Sequence, residues 1–220
     1  MTDKLLILIP MKDPSRAKSR LASGLSEGER STLSLMLFKA VIERIKAALA
    51  SADHLKTQID VIDIAVVSSS EVIRQEAGEL DILFLPEAGD TGLNDALQAA
   101  SECALKQGYG RLCILPGDLA DPTAQDIVSL LSYPLDARTI IVCPSEDLGT
   151  NALVVPLPSP MPFSFGPDSF SRHFSQAADL GLMPVILPLK SLRRDIDTMA
   201  DLSYLDAAQT AVIAKGGEGA

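Results

Sequence analysis

The chain alternates short apolar runs with longer stretches in which apolar residues recur every third or fourth position. The runs KLLILIP (4–10), VIDIAVVS (61–68), DILFLP (81–86), RLCILPGD (111–118), RTIIVCPS (138–145), TNALVVP (150–156) and MPVILPL (183–189) are bounded by Pro, Gly, Ser or Asp. Rich in β-branched residues, they predict strands. Leu33, Leu37, Val41, Ile45 and Leu49 stand at steps of four and predict an amphipathic helix over 26–49. Leu93, Leu97, Ala100 and Ala104 predict a second helix, and 168–180 and 198–211 read as two more. Strand–helix alternation predicts a single-domain α/β protein, with a mainly parallel mixed sheet flanked by helices. In such open sheets ligands bind beyond the carboxyl ends of the strands. That rule directs attention to 12–20, 68–70, 86–94, 116–118 and 195–197. The proline-dense segment from Pro156 to Pro167 is expected to run as a loop over one sheet edge. The domain is expected to cover 1–214, leaving the glycine-rich 215–220 as a frayed tail.

Composition narrows the function classes. The 220 residues suffice for one domain with a real core, 47% hydrophobic and 22% charged, so wholesale disorder is excluded. A formal net charge of −10 argues against a nucleic-acid or anionic-membrane partner, because phosphate surfaces select for basic proteins. The early apolar run Leu5–Ile9 is too short for a membrane span and lacks the features of a signal peptide. Cys103, Cys113 and Cys143 are widely spaced, with no CxxC pair, and read as reduced core residues of a cytoplasmic protein. His54, read as a loop residue, and His173, read as helical, show no partner spacing, which argues against a histidine triad or a zinc site.

The chemistry-bearing residues sit at the predicted ligand end. Lys12, Arg16, Lys18 and Arg20 place four of the 19 basic residues within nine positions after the first strand. A charge run alone is usually a solvated loop, but here it could neutralise a polyphosphate. No GxxxxGK[ST] or GxGxxG motif is present, so neither a P-loop nor a dinucleotide fingerprint is in use. Asp118 follows the fourth strand after Pro116 and Gly117, a common turn position. Asp195 and Asp197, in RRDIDTMADL, read either as the start of a helix or as paired carboxylates on one face of an extended segment. At about 7 Å such a pair repels by roughly 2 kcal/mol at an effective dielectric near 20, so a cation would compensate it. Three carboxylates at one sheet end, facing a basic loop, suit magnesium, which takes a few carboxylates plus substrate phosphates. Gly89 and Gly92 permit close backbone approach, and Asn94 either holds a base or ribose or sits in the first turn of a helix. Gly166 and Ser169 stand at the start of the predicted 168–180 helix, where free N–H groups could hold an anion.

Together IPMKDPSRAKSRLA, GLNDAL, ILPGDL, GTNAL, FGPDSFSRH and DIDTMADL, in that order, resemble the 2-phospho-L-lactate guanylyltransferase family of deazaflavin coenzyme F-420 biosynthesis. The resemblance covers most of the chain and implies a GT-A-like, Rossmann-like nucleotidyltransferase fold. It also implies guanylyl transfer from GTP to 2-phospho-L-lactate, phosphoenolpyruvate or 3-phospho-D-glycerate. By resemblance, Lys12, Arg16, Lys18 and Arg20 line the GTP phosphates, Gly92 and Asn94 the nucleoside, and Thr150, Gly166 and Ser169 the acceptor. Asp118, Asp195 and Asp197 would hold one or two Mg2+ ions, with Lys12, Lys18 and Asp118 carrying the catalytic roles. The resemblance leaves room for a homodimer and for handover to the next transferase of the pathway. Gly117 stands where the family usually has alanine, Ala120 and Met199 where proline is common, and Leu148 where a second glycine often precedes GTN. The residues leave two alternatives open. One is another nucleotidyltransferase of the same fold, acting on a molybdenum cofactor or a sugar phosphate; the other is a non-catalytic GTP-binding regulatory domain.

Overall fold

The computed structural model describes residues 3–216 apart from 88, 90 and 91. Seven strands form one sheet: β1 (Lys4–Pro10), β2 (Val61–Ser68), β3 (Leu83–Pro86), β4 (Arg111–Ile114), β5 (Thr139–Pro144), β6 (Thr150–Pro156) and β7 (Met183–Ile186). Their order is β3-β2-β1-β4-β6-β5-β7. All pairings are parallel except those of β6, which runs antiparallel to both β4 and β5. The chain leaves β1 for β2 and β3 on one side and returns to β4 on the other, so a crevice opens between the ends of β1 and β4.

Among the described residues seven α-helices accompany the sheet: α1 (Glu27–Ser51), α2 (Asp53–Gln58), α3 (Glu71–Glu79), α4 (Leu93–Lys106), α5 (Ala124–Leu131), α6 (Ser169–Asp179) and α7 (Ala207–Gly216). Leu5, Ile7 and Ile9 of β1 pack with Phe38, Val41, Ile42 and Ile45 of α1. Leu6 and Leu8 face the other way, into a core with Leu97 and Ala100 of α4 and Ala177 of α6. Helices on both faces therefore explain why β1 is a continuous apolar run rather than an alternating one. Among the described residues, no helix is long and apolar enough to cross a membrane.

The expected 198–211 helix does not form as one piece. A 3-10 turn occupies Asp201–Tyr204, Leu205 is extended, and α7 begins only at Ala207. Asp206 accepts from the Gln209 N–H at 2.8 Å and Gln209 Oε1 from the Asp206 N–H at 2.9 Å. This reciprocal cap fixes the helix start at Ala207 rather than at 198. Helix α7 also runs through Lys215 and Gly216, so only 217–220 of the expected tail fall outside the described residues. His54, expected in a loop, lies on α2 and hydrogen-bonds Ser132 at 2.9 Å. Cys113 and Cys143 are buried free thiols as expected, whereas Cys103 is only partly covered.

Candidate active site

A small satellite core supports the site. Leu21 from the basic loop, Leu33 and Leu37 of α1, Ala120, Ile196 and Ile213 of α7 form one buried cluster. Ile196, between the two aspartates, is fully buried in it. The segment before Asp197 pairs with the one after β4: the Ile196 N–H donates to the Asp118 carbonyl at 3.1 Å, and the Ala120 N–H to the Arg194 carbonyl at 2.9 Å. Two short segments distant in sequence are thus stapled as a miniature antiparallel ladder. Ile196→Ala is expected to cost about 3 kcal/mol by leaving a cavity in this pedestal. Chemical denaturation would measure that loss, and an unchanged midpoint would show that the pedestal does not support the fold.

The ladder brings together one carboxylate oxygen from each of Asp118, Asp195 and Asp197, all within 4.8 Å of one another. The Lys18 ammonium lies among them, 2.5 Å from Asp118 Oδ2 and 3.0 Å from Asp197 Oδ1. Its side chain is only 4% exposed, whereas those of Asp118 and Asp197 are 30% and 40% exposed. Burial alone would lower the Lys18 pKa, but the charges and hydrogen bonds of Asp118 and Asp197 outweigh it and raise the value. Asp195 is pushed up to about 6, first by burial and then by the neighbouring Asp118 and Asp197 charges. Lys18 has φ 55 and ψ 37, a left-handed conformation that a non-glycine residue holds at a cost of order 1 kcal/mol. That conformation belongs to the tight loop carrying the ammonium into the cluster.

The donor set fits a hard divalent cation, since opposite oxygen ligands of magnesium or calcium lie about 4–5 Å apart. A bound cation and the Lys18 ammonium would share Asp118 and Asp197.

The rest of the basic loop is organised by Asp13, which composition and motif reading passed over. Its carboxylate accepts from the Ser15 N–H at 3.0 Å, the Ser15 hydroxyl at 2.6 Å and the Ser70 hydroxyl at 2.6 Å. The Ser15 and Ser70 hydrogen bonds hold its pKa below the usual carboxylate value. The aspartate before Pro14 was the available signal, because Pro favours the first helical position behind such a cap. Arg20 lies 3.4 Å from Asp197 Oδ2, while Lys12 and Arg16 are exposed on the outer part of the loop. A cleft beside the carboxylates is lined by Arg20, Asp147, Arg193, Arg194 and Tyr204. Arg194 is paired with Glu146 at 2.8 Å and stacked on Tyr204 at 4.5 Å.

Because β6 is antiparallel, its first residue, Thr150, lies at the sheet end that carries the aspartates. Pairing with β5 slips there, from Cys143↔Ala152 to Pro144↔Thr150, leaving Asn151 as an extra residue. Such a bulge breaks strict alternation. Ala152 packs on the α1 side of the sheet, but Thr150 reaches His173 of α6 on the other side. Ser169, the first residue of α6, is also buried. Gly166, with φ 117, takes a backbone conformation that L side chains rarely adopt.

Two readings of this region change. The N–H groups of Ser169 and Phe170 already donate, to Gly166 and Leu148 carbonyls at 3.1 and 3.2 Å. Side-chain hydroxyls, more than the helix N–H groups, are therefore available to an anion. Asn94 in turn clasps the backbone of Phe165, accepting from its N–H at 2.7 Å and donating to its carbonyl at 3.2 Å. It organises the Phe-rich loop, with one amide N–H left over. Gly92, with φ 98, is the residue that turns the chain into α4.

Two of the departures from family pattern, Gly117 and Met199, have local causes. A β-carbon on Gly117 would meet Met11 Sδ at 2.4 Å, and one on Gly24 would meet Met199 Cε at 2.4 Å. Glycine and methionine are therefore paired at both places. Leu148 keeps a left-handed φ of 67, the conformation that glycine adopts without strain.

A family model for CofC-like guanylyl transferases matches residues 5–207. The chain belongs to that family. This guanylyl transferase is 34% identical over 203 residues to the phosphoenolpyruvate guanylyltransferase of Chloroflexus aggregans, spanning 92% of this chain and 97% of the relative. It is 32% identical to the 3-phospho-D-glycerate guanylyltransferase of Colwellia psychrerythraea, with 90% of each chain covered. The 2-phospho-L-lactate guanylyltransferase of Methanothermobacter thermautotrophicus is 30% identical, over 92% of this chain and 84% of that one. Among solved structures, a nucleotidyl transferase from Methanothermobacter superposes with a TM-score of 0.59 at 12% identity, covering 97% and 99% of the two chains. A CMP:2-keto-3-deoxy-manno-octonic acid synthetase complexed with CTP gives 0.55 at 15% identity, over 97% and 100%. The guanylyl transferase thus has a nucleotidyltransferase fold.

Proposed function

We propose that this chain transfers GMP from GTP to the phosphate of a small phosphorylated carboxylic acid, releasing pyrophosphate, in deazaflavin coenzyme F-420 biosynthesis. The acceptor is 2-phospho-L-lactate, phosphoenolpyruvate or 3-phospho-D-glycerate. The observation that carries the reading is the meeting of Asp118, Asp195 and Asp197 with Lys18 beside the crevice between β1 and β4, in a guanylyl transferase family chain.

In the proposed reaction an oxygen of the acceptor's phosphate attacks the α-phosphorus of GTP, and the bond to the β-phosphate oxygen breaks. The attacking phosphate is already anionic near neutral pH, so no side chain has to remove a proton. This agrees with the state of His173, whose two ring nitrogens are both occupied by Thr150 and Ser164. Alignment and charge neutralisation then supply most of the acceleration. Lys12, Arg16, Lys18 and Arg20 meet the triphosphate, Lys18 as a buried and persistently charged ammonium. A magnesium ion held by Asp118, Asp195 and Asp197 would add positive charge at the phosphates. Gly92 and Asn94 border the nucleoside, and Thr150, Gly166 and Ser169 receive the phospho-acid.

The decisive assay supplies GTP or ATP with each of the three phospho-acids and a divalent cation, and identifies products by mass. A guanylylated phospho-acid and stoichiometric pyrophosphate are expected with GTP; GTP binding without turnover on any acceptor would defeat the reading. Ser169→Ala should raise the acceptor KM about tenfold, the loss of one hydrogen bond to a charged group, and leave the GTP KM within about twofold. Weakened GTP binding alone would mean that the two substrates sit the other way round.

A further inference from the structure

His173 is fully buried on α6, and two contacts define its proton. The Ser164 backbone N–H donates to Nε2 at 3.0 Å. A backbone N–H can only donate, so Nε2 carries no hydrogen, and a neutral imidazole must then be protonated at Nδ1. Nδ1 lies 3.1 Å from Thr150 Oγ1, so the ring donates and the hydroxyl accepts. The hydroxyl's own proton is left to point elsewhere, and among the described residues nothing accepts it.

We propose that His173 is a positioning residue for the acceptor: by donating to Thr150 Oγ1 it sets the threonine hydroxyl as a hydrogen-bond donor towards an anionic oxygen of the phospho-acid. The inference rests on the reading that Thr150 belongs to the acceptor site. An anion accepts and never donates, so a hydroxyl free to rotate would often present it with a lone pair. A histidine protonated at Nδ1 removes that alternative.

The surroundings keep the ring from turning over. Phe165 meets it edge-on, with centroids 4.9 Å apart and planes at 71°. Asn94 clasps the Phe165 backbone from α4. The carbonyl of Ser164 accepts from Arg172 at 2.9 Å, and its hydroxyl accepts from Gln176 at 2.8 Å. The residue supplying the N–H to Nε2 is therefore itself held at two further points. Burial, and then the Arg172 charge, bring the His173 pKa down to about 4, which keeps the ring neutral in ordinary buffers.

The test combines His173→Gln, His173→Asn and Thr150→Val with both doubles, in steady-state assays of GTP with the phospho-acid turned over fastest. Glutamine reproduces an acceptor near Nε2 but loses the donor at Nδ1; asparagine keeps an N–H donor near Nδ1. His173→Gln is expected to raise the acceptor KM about tenfold, with the GTP KM changed less than about twofold. His173→Asn should recover most of that loss, and on the Thr150→Val background His173→Gln should add nothing. An acceptor KM that rises for Thr150→Val but not for His173→Gln would overturn the role of His173. So would an equal His173→Gln effect with and without Thr150. No change for Thr150→Val would instead defeat the acceptor-site reading on which the proposal rests. If the histidine variants do not fold, 15N correlation spectra of the wild-type imidazole decide the matter. The Nδ1-protonated tautomer is expected, and the Nε2-protonated form would overturn the proposal.

Discussion

Asp197→Asn is expected to lower cation-dependent guanylyl transfer about 10^3-fold, while the metal-free protein melts within a few degrees of wild type. Asparagine keeps an oxygen at the site but removes the charge that a divalent cation needs from its ligand. Two opposing changes limit the effect on folding. The variant loses the charge pairing of Asp197 with Lys18 at 3.0 Å and Arg20 at 3.4 Å. It also relieves the repulsion that helps push Asp195 up to about 6. Lys18 keeps its contact with Asp118, so no buried ammonium is stranded. Initial rates across a magnesium or manganese titration, with a thermal melt as control, provide the measurement. A wild-type rate at saturating cation would remove Asp197 from the metal site.

Lys18→Met should behave differently, because among the described residues Lys18 is the only cation within hydrogen-bonding distance of both Asp118 and Asp197. Methionine replaces the stem but leaves the cluster of carboxylates without its internal countercharge. The metal-free protein is expected to lose about 2 kcal/mol, less than a fully buried broken pair costs because the carboxylates are partly exposed. Millimolar magnesium should restore most of that stability, and it should raise the melting temperature of the variant more than that of wild type. In wild type an incoming cation must share Asp118 and Asp197 with the ammonium; in the variant it meets no competitor. Turnover should nonetheless stay about 10^2-fold below wild type, since Lys18 is also a ligand for the triphosphate in the proposed reaction. A metal-free melt equal to wild type, or a loss that the cation fails to recover, would show that the lysine is not the countercharge of this site.

The two experiments separate functions that the carboxylate cluster combines. Asp197→Asn tests whether the aspartates hold a catalytic cation, and Lys18→Met tests what holds them together without one. The His173 proposal concerns the other half of the site, where a neutral ring and a hydroxyl replace charge.

Much of the scaffold was legible locally. Strands β1 and β2 coincide with their apolar runs, and α1 and α4 follow their four-residue stripes. These elements are buried on a face or on both faces, so the periodicity of the packing is written into the residues themselves. Helices α2, α3 and α5 were not among the predicted elements, and α7 was misjudged because the Asp206–Gln209 cap outweighs the stripe leading up to it. Of the site, the three aspartates and the basic loop could be nominated from their places after strands, since the sheet rule applies wherever the strands are parallel.

By itself, then, the sequence determined the strands, the principal helices, the ligand end of the sheet and the residue types available there. Tertiary structure alone decided what those residues do to one another. The short ladder between 118–120 and 194–196 brings three carboxylates together, two of them on one ammonium. The antiparallel insertion of β6 and its bulge at Asn151 carry Thr150 to the α6 side and onto His173. The folded loop commits the amide of Asn94 to Phe165. Periodicity reports only which side of an element is buried. Pairings between segments far apart in the chain depend on how the whole sheet closes, and no local pattern encodes them.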